Sequence, residues 1–548
     1  MLTQVISILP LRTKTISPLW CFILVPILPY LSNLIYQHRA AQSSTWPGQS
    51  NNHHPIESLI REARADLEHR LKHQSQNYTA AYHEYHRRYN MDPPPGFEAW
   101  YQFAVASQSV IIDDFDTIYE RISPFWKLTG KEVLEITRQL QNDPSLDLWR
   151  CTFSSTTAET HCHHPWRTFD RHISLLFNKR PGDLRGAIPD VNFLVNHLDE
   201  PRVLIPPSTV QKKSGQGQWY KATDLSRQPS WAALTKYCAA HADLQPPPIE
   251  PELFGLPFVR NRSSAMDLCQ HPEYNHMHGL FQSPTSLHIL EGPVPILSTG
   301  SLSTMGDLLF PSPAYLESEF QYDEKHDPAW SHKQNTLYWA GSTTGAVAHD
   351  DNWPNFHRQR FVALAQNLGK QQHHSYLQQN NGIISRATSS FLNRRLFDVA
   401  FTRIFQCEYR RCRAQRRFFR PKPWADGNEA FQSRLVFDMD GNGISGRYYK
   451  LLASKSAPLK QTLLREWHDD RLVPWVHFIP VSQGIEELPE IVSYLTLSES
   501  GRQRAREIAE QGREWSARAL RDVDASVYLY RLMLELGRLQ NSDRAALI

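Results

Sequence analysis

Apolar runs and glycine-rich turns alternate clearly in the stretch from 433 to 482. The run LVF near its start has the length of a buried strand. A turn follows in which two aspartates and Asn442 stand among three glycines, and Arg447 then begins a segment of helical composition. Strand, glycine turn and helix form a geometry in which backbone N–H groups can meet a phosphate. The run VPWVHFIPV at 473–481 predicts another buried strand.

Two earlier stretches show related patterns. LYWAGSTTG at 337–345 predicts a strand and a glycine turn, with a helix from about 355 to 368. VNFLV at 191–195 predicts a strand that leads into a polar loop containing Asp199. The two α/β regions indicate doubly wound, Rossmann-like domains that face a cleft.

The N-terminal region contains one long apolar stretch, SPLWCFILVPILPYLSNLIY at 17–36. Its length is that needed for a bilayer span, and Arg12 and Lys14 supply a positive cytoplasmic flank. Without an evident cleavage site behind it, the stretch is predicted to be a retained signal-anchor, and a buried helix is the alternative. The chain is therefore predicted to be a single-pass type II membrane protein with its main domains in a lumen.

These patterns divide the chain into predicted units. They are a cytoplasmic tail at 1–16, the signal-anchor at 17–36, a stem and helix at 37–92, a first domain at 93–325, a second domain at 326–498 and a C-terminal helical segment at 499–548. A net charge of +3 over 548 residues is too balanced for nucleic acid to be the main partner.

Sequons and cysteines agree with a lumenal location. Asn77-Tyr-Thr and Asn261-Arg-Ser are glycosylation sequons. Cys21 lies in the predicted span, which leaves six further cysteines: Cys151, Cys162, Cys238, Cys269, Cys407 and Cys412. An even number in an oxidising lumen indicates three disulfides. The order in the sequence favours pairing of neighbours, although about fifteen connectivities are possible.

Four blocks of sequence resemble glycosyltransferase family 90, the capsule-associated-protein glycosyltransferases that include the protein O-glucosyltransferases of the secretory pathway. The blocks are PPPGFEAWYQFA at 93–104, IPDVNFLVNHLDEP at 188–201, LYWAGSTTG with HRQRFV at 337–362, and the long block from GRYYKLL to FIPVS at 446–482. Fungal-type members are the most similar, and some of these resemble β-xylosyltransferases. The resemblance implies a GT-B architecture, a UDP-sugar donor, inversion at the anomeric carbon and no obligatory metal or other cofactor.

The resemblance places the catalytic base at Asp199, in the sequence Leu198-Asp199-Glu200-Pro201. Its aspartate and proline match the family pattern, whereas an arginine and an aromatic residue of that pattern are absent. An inverting transfer needs one carboxylate to take the proton of the acceptor hydroxyl. Asp190 is the alternative base.

The resemblance also assigns the donor side to the second domain. Its predicted donor-binding residues are Gly341, Ser342, Thr343, Arg358, Asp440, Gly441, Arg447 and Glu466. Small residues in the turn allow close backbone approach to the diphosphate, and the arginines stabilise the departing UDP. Glu466 is the candidate for the ribose hydroxyls.

Together these features predict a membrane-anchored inverting glycosyltransferase of the Golgi or endoplasmic reticulum. It would transfer xylose or glucose from a UDP-sugar to a glycan, glycolipid or glycoprotein. The alternatives are a catalytically decayed glycan-binding protein and a metal-dependent GT-A-type transferase that uses Asp438-x-Asp440 or Asp114-x-Asp116. A basic run between Cys407 and Trp424 is either a solvated face or a contact for the donor phosphates or an anionic acceptor.

Overall fold

The computed structural model describes residues 53–170, 173, 188–207, 217–238, 252–369, 373–380 and 383–547. The predicted signal-anchor at 17–36 lies outside these residues. No helix within the described ranges is long and apolar enough to cross a membrane.

The first half begins with helices and continues into two sheets. Its helices are α1 (Pro55–Lys72), α2 (Tyr78–Tyr89), α3 (Phe97–Ala106), α4 (Asp116–Ile122), α5 (Gly130–Asn142), α6 (Trp231–Leu234), α7 (Arg262–Ala265) and α8 (Gly279–Gln282). Its strands are β1 (Trp149–Ser154), β2 (Glu159–His163), β3 (Val191–Val195), β4 (Val203–Leu204), β5 (Lys221–Asp224), β6 (His288–Glu291), β7 (Ile296–Ser298) and β8 (Leu308–Leu309).

The larger sheet of this half has the order β2-β1-β3-β7-β8, and a smaller one has the order β4-β6-β5. Strands β3, β7 and β8 are parallel, whereas β1 is antiparallel to both β2 and β3. The sheet is therefore mixed, which differs from the doubly wound arrangement predicted for this half. Only four residues, 155–158, join β1 to β2, too few for the crossover that a parallel pair requires.

The second half contains a five-stranded parallel sheet. Its elements are β9 (Gln334–Ser342), α9 (His357–Ala365), β10 (His374–Asn380), β11 (Ile383–Ser389), β12 (Phe397–Arg403), α10 (Tyr409–Phe419), β13 (Ser433–Met439), α11 (Tyr448–Leu452), β14 (Ala457–Gln461), β15 (Ile479–Pro480), α12 (Leu488–Leu497), α13 (Glu499–Ala519) and α14 (Asp522–Leu539). The order is β12-β9-β13-β14-β15, all parallel, and β10 and β11 form a separate hairpin. The prediction of a mixed α/β protein with parallel sheets is confirmed.

The strand predicted at 473–481 is largely wrong. Only Ile479–Pro480 pairs in the sheet, as β15. The preceding residues form a tight turn, in which Trp475 has φ 65° and its N–H bonds to the carbonyl of Phe478 at 2.7 Å. Periodicity alone cannot separate a buried turn from a buried strand in a short apolar run.

The termini pack more closely on the fold than the sequence indicates. In α1, which falls in the predicted stem and helix at 37–92, Ile56, Leu59 and Ile60 lie in the core of the second half. Helix α14 returns to the core of the first half, where the Trp100 indole donates to the carbonyl of Val527 at 2.9 Å. The C-terminal helical segment therefore joins the two halves.

Three disulfides are formed, Cys151–Cys162, Cys238–Cys269 and Cys407–Cys412. The predicted pairing of neighbours is confirmed.

Candidate functional site

The carboxyl ends of the parallel strands form the edge where the predicted donor residues gather. Numbered along the second half, the strand order is 2-1-3-4-5, so the order reverses between β9 and β13. Ligands of doubly wound sheets bind at the carboxyl ends of the strands, at this reversal. Gly341 and Ser342, predicted to lie in the turn, are the last two residues of β9; Thr343 follows them, and Asp440 and Gly441 directly follow β13. Two segments about 100 residues apart are thus placed side by side.

Arg358, at the start of α9, bridges the two strand ends. Its Nε donates to the carbonyl of Asp440 at 2.8 Å, and one terminal nitrogen donates to the carbonyl of Ser342 at 3.0 Å. The same nitrogen lies 2.5 Å from the hydroxyl of Thr344. The other terminal nitrogen makes only a long contact, 3.4 Å to the carbonyl of Met439. All of these acceptors are neutral, so the guanidinium charge is not neutralised by them.

Arg447 reaches the same place from the N-terminus of α11. Its guanidinium donates to the carbonyl of Ala340 at 2.6 Å. Arg447 and Arg358 lie over the same Trp339 ring, at 5.9 and 5.7 Å from its centroid. Neither arginine forms an ion pair with a carboxylate among the residues that the structure describes. Two cations without a directly paired carboxylate in the described structure therefore share one small region, with Asp438 and Asp440 attracting Arg358 from nearby.

The proximity of the two arginines affects the pKa of Arg358. Burial, followed by repulsion from Arg447, lowers the pKa of Arg358 from 12.5 to about 9. Two cations that disfavour each other's charge form a site that an anion would stabilise.

Glycines bring the surrounding backbone close. Gly345 has φ +110°, and a Cβ there would lie 2.4 Å from the His357 ring and 2.9 Å from the carbonyl oxygen of Gly441. A Cβ at Gly441 would lie 3.3 Å from the guanidinium of Arg358. The turn at Gly345 can approach Gly441 this closely only because Gly345 lacks a side chain, and Gly441 leaves room for the guanidinium of Arg358.

Asp199 meets this edge from the first half of the chain. It is exposed in the loop after β3, and its Oδ2 accepts a hydrogen bond of 3.3 Å from the amide of Asn442. The same Asn442 accepts from the N–H of Gly345 and from the hydroxyl of Thr285, both at 3.0 Å. A Cβ at Gly443 would lie 2.1 Å from the backbone oxygen of Asp199. The predicted base and the predicted donor turn are therefore in direct contact.

The loop that carries Asp199 is fixed by hydrogen bonds of its buried residues. Glu200 is buried and accepts from the N–H groups of Thr285 and Ser286 and from the Ser286 hydroxyl, at 2.8–3.2 Å. The amide of Asn196 donates to the backbone oxygen of Glu200 at 2.8 Å. Burial raises the pKa of Glu200. These contacts leave Asp199 as the exposed carboxylate of the loop.

The alternative base, Asp190, lies at the other end of the same strand. It precedes β3, whereas Asp199 follows it, and its Oδ1 accepts the N–H of Ser155 at 2.7 Å. Five residues of β3 correspond to about 16 Å. Asp190 is therefore on the opposite side from the two arginines.

Several predicted donor residues are already engaged inside the protein. Thr343 is 2% exposed and its hydroxyl donates to the carbonyl of Phe405 at 2.8 Å. The carboxylate of Asp440 accepts the N–H of Leu463 at 2.8 Å, and burial raises its pKa to about 6. Glu466 is 1% exposed, accepts from the hydroxyl of Tyr315 and lies 3.4 Å from the Lys460 amine. These side chains are therefore bonded to other protein groups and support the site rather than point into it.

The aspartate pairs considered for a metal-dependent transferase are also engaged. Asp438 is fully buried and bonds to Ser445 and Lys460. Asp114 and Asp116 both pair with Arg88, at 2.9 and 3.1 Å.

One group of ligand-type side chains within the described residues is close enough to hold a metal ion: Asp147, His164 and His197. The Nε2 atoms of both histidines lie 2.8–2.9 Å from Asp147 Oδ1. However, Nδ1 of His164 accepts the N–H of Trp166 at 3.2 Å, so its proton is on Nε2. The hydrogen bond between His197 Nε2 and Asp147 Oδ1, 2.9 Å long, ties the loop of Asp199 to this group.

The glycine turns, the paired arginines and the parallel sheet lie in one continuous stretch of sequence. Residues 317–545 match the family model for glycosyl transferase family 90. The chain thus carries a domain of this family, which supports glycosyltransferase activity. The matched range contains both arginines and both glycine turns, and Asp199 lies before it. Within the family domain, the sequence reasoning missed Asn442 and Trp339; a polar side chain between two glycines was the available signal for Asn442.

Proposed function

We propose that the protein is an inverting glycosyltransferase that moves a sugar from a UDP-sugar to a hydroxyl group of a glycan or glycoconjugate. The observation that carries the proposal is the pair formed by Arg358 and Arg447 at the ends of β9 and β13. Both are cationic, neither is paired with a carboxylate within the described structure, and Asp199 of the other half contacts Asn442 in the turn after β13.

The paired arginines suit a diphosphate leaving group. Negative charge grows on the diphosphate as the bond to the sugar breaks, and fixed cations at that point lower the barrier. Arg358 is held by backbone carbonyls on both strands, so its position costs no reorganisation during the reaction. Arg447 makes one hydrogen bond within the described structure, to the carbonyl of Ala340, and keeps further N–H donors for the ligand. In this scheme the arginines supply the charge that a metal ion supplies in other transferases.

Asp199 is proposed as the general base. It would take the proton from the acceptor hydroxyl as that oxygen attacks the anomeric carbon from the face opposite UDP. The bond from oxygen to the sugar forms, the bond to UDP breaks, and the proton passes to the carboxylate. An α-linked donor then yields a β-linked product.

The finer assignments follow from the sequence. Similarity to fungal-type members and to protein O-glucosyltransferases favours xylose or glucose as the sugar. The apolar stretch at 17–36 and two sequons favour a type II protein of the Golgi or endoplasmic reticulum. The expected activity needs no metal cofactor.

The decisive experiment compares Asp199→Asn with Asp190→Asn. A positioned base contributes about 10²–10⁴ in rate, so Asp199→Asn should lose at least a hundredfold in turnover while it binds UDP normally. Asp190→Asn removes the same charge at the far end of β3 and should keep nearly full activity. Product stereochemistry, read by NMR, should show a β-linkage. An active Asp199→Asn enzyme, or an α-linked product, would refute the mechanism.

A further inference from the structure

Helix α10 presents a row of arginines to solvent. Gln415 and Phe419 are its buried residues, and the opposite face carries Arg410, Arg413 and Arg417, all exposed. Spacings of three and four residues place these three on one side of a helix, one turn apart. Arg420 extends the row by a further turn and is also exposed. These four residues are called the basic stripe.

The basic stripe has no acidic partner within the described part of the chain. The neighbouring Arg411 pairs with Asp351, and Lys422 pairs with Asp398. None of the four stripe arginines forms an ion pair there. Like charges one turn apart destabilise a helix. The arrangement is unfavourable for the isolated protein and favourable when an anion lies along the helix.

The stripe begins at the rim of the candidate site. The segment before α10 is bonded to residues 343–348, which follow β9 and are called the donor loop. The hydroxyl of Thr343 donates to the carbonyl of Phe405, and the N–H of Ala348 donates to the carbonyl of Gln406 at 2.9 Å. The N–H of Glu408, which precedes the helix, donates to the carbonyl of Ala348 at 3.0 Å. Helix α10 packs beside β12, the edge strand of the sheet, where the rings of Phe419 and Phe401 lie 4.8 Å apart.

Exposed aromatic side chains accompany the stripe. Tyr409 is 78% exposed at its start and Trp424 is 81% exposed beyond its end, while Phe418 is 42% exposed on the flank. Aromatic rings offer a flat apolar face beside a polar edge. Arginines provide planar, bidentate donors for carboxylates.

We infer that the basic stripe binds a carboxylate-bearing glycan chain, which the protein uses as its acceptor. This inference rests on the proposed transferase function and specifies its substrate class. The stripe's continuity with the donor loop would lead such a chain toward Asp199. The outward face of α10 is made of arginines and lacks the continuous apolar surface with which amphipathic helices enter a lipid interface. A polyanion that lies along the surface fits this face better than a membrane.

The test measures binding of the purified full chain to immobilised polygalacturonate, with dextran as the neutral polymer. The stripe variant is Arg410→Ala/Arg413→Ala/Arg417→Ala. The control variant, Arg61→Ala/Arg138→Ala/Arg518→Ala, removes the same charge from exposed positions on α1, α5 and α13. Since exposed ion pairs contribute little individually, three together should change polygalacturonate affinity by about tenfold. The control variant should bind as the unmodified chain does, and raised salt should weaken binding.

Three outcomes would overturn the inference. In the first, the stripe variant and the unmodified chain bind polygalacturonate equally well. In the second, the unmodified chain binds dextran as tightly as it binds polygalacturonate. The third is a stripe-dependent preference for phosphatidylserine vesicles over polygalacturonate, which would identify a membrane surface instead. Hydrolysis of the UDP-sugar donor, measured without acceptor, should be unchanged in the stripe variant. Donor hydrolysis without polyanion binding would refute only this inference, and polyanion binding without any donor turnover would refute the proposed function.

Discussion

Replacing Arg447 by alanine tests the donor site most directly. This residue is partly buried, and its guanidinium makes one hydrogen bond within the described structure, to the carbonyl of Ala340, and lies over the same Trp339 ring as Arg358. Because it has no carboxylate partner within the described structure, its removal leaves no buried acid uncompensated. The change should therefore act on anion binding more than on folding.

The size of the effect can be bounded. A fully exposed ion pair contributes about 0–1 kcal/mol, whereas a hydrogen bond to a charged group contributes about 1.5–3 kcal/mol. Partial burial places Arg447 in the second class. With about 1.4 kcal/mol per factor of ten, Arg447→Ala should weaken UDP binding about tenfold to a hundredfold. Arg447→Lys keeps the charge but loses the planar fork, so an intermediate loss is expected.

Isothermal titration of UDP into the full chain would measure these affinities. Arg434→Ala is the matched control, because this partly buried arginine lies at the other end of β13 and also donates to a backbone carbonyl, that of Trp330. It should bind UDP as the unmodified chain does. Unchanged affinity in Arg447→Ala, or an equal loss in Arg434→Ala, would refute the role of the paired arginines.

Four other predictions follow from the same structure. Asn442→Ala removes the hydrogen bond to Asp199 and the two bonds that Asn442 accepts from Gly345 and Thr285. Turnover should therefore fall by more than the roughly tenfold worth of one hydrogen bond; steady-state kinetics would show this, and unchanged turnover would contradict it. Adding EDTA should change the transferase activity by less than about twofold relative to the untreated protein. A complete loss of activity that Mn²⁺ restores would favour a metal-dependent transferase. Burial raises the pKa of Glu487 from 4.5 to about 7, so the protonated form is favoured in the folded state and the contribution of this group to stability is lost as pH rises from 4.5 to 7. Glu487→Gln should therefore raise the unfolding free energy in urea by up to about 3 kcal/mol at pH 8 and by little at pH 4.5, and equal changes at both would contradict the burial argument. In a secretory host, endoglycosidase should increase the mobility of a chain glycosylated at Asn77 and Asn261; cytosolic protease sensitivity of the main domains would contradict the lumenal topology.

The sequence by itself determined much of the second half. The strand at 433–439, its glycine turn and the following helix have local signals: an apolar run, residues that permit tight turns, and a return to helical spacing. The helix predicted near 355–368 is found at His357–Ala365. Each disulfide also joins two cysteines that are neighbours in the sequence, as predicted, and the sequence separation is 31 residues or fewer. Such features depend on neighbours in the chain, so they can be read from it.

Only the tertiary structure decided which residues meet. Asn442 and Asp199 are 243 positions apart, and no local pattern relates them. The strand β14 was not predicted and the run at 473–481 was overestimated, because a short apolar segment can be buried as a strand or as a turn depending on what packs against it. The sequence likewise predicted only a C-terminal helical segment, whereas in the structure helix α14 forms part of the core of the first half. Burial and long-range pairing depend on the whole fold, and they turn two separate glycine loops and a distant aspartate into one candidate site.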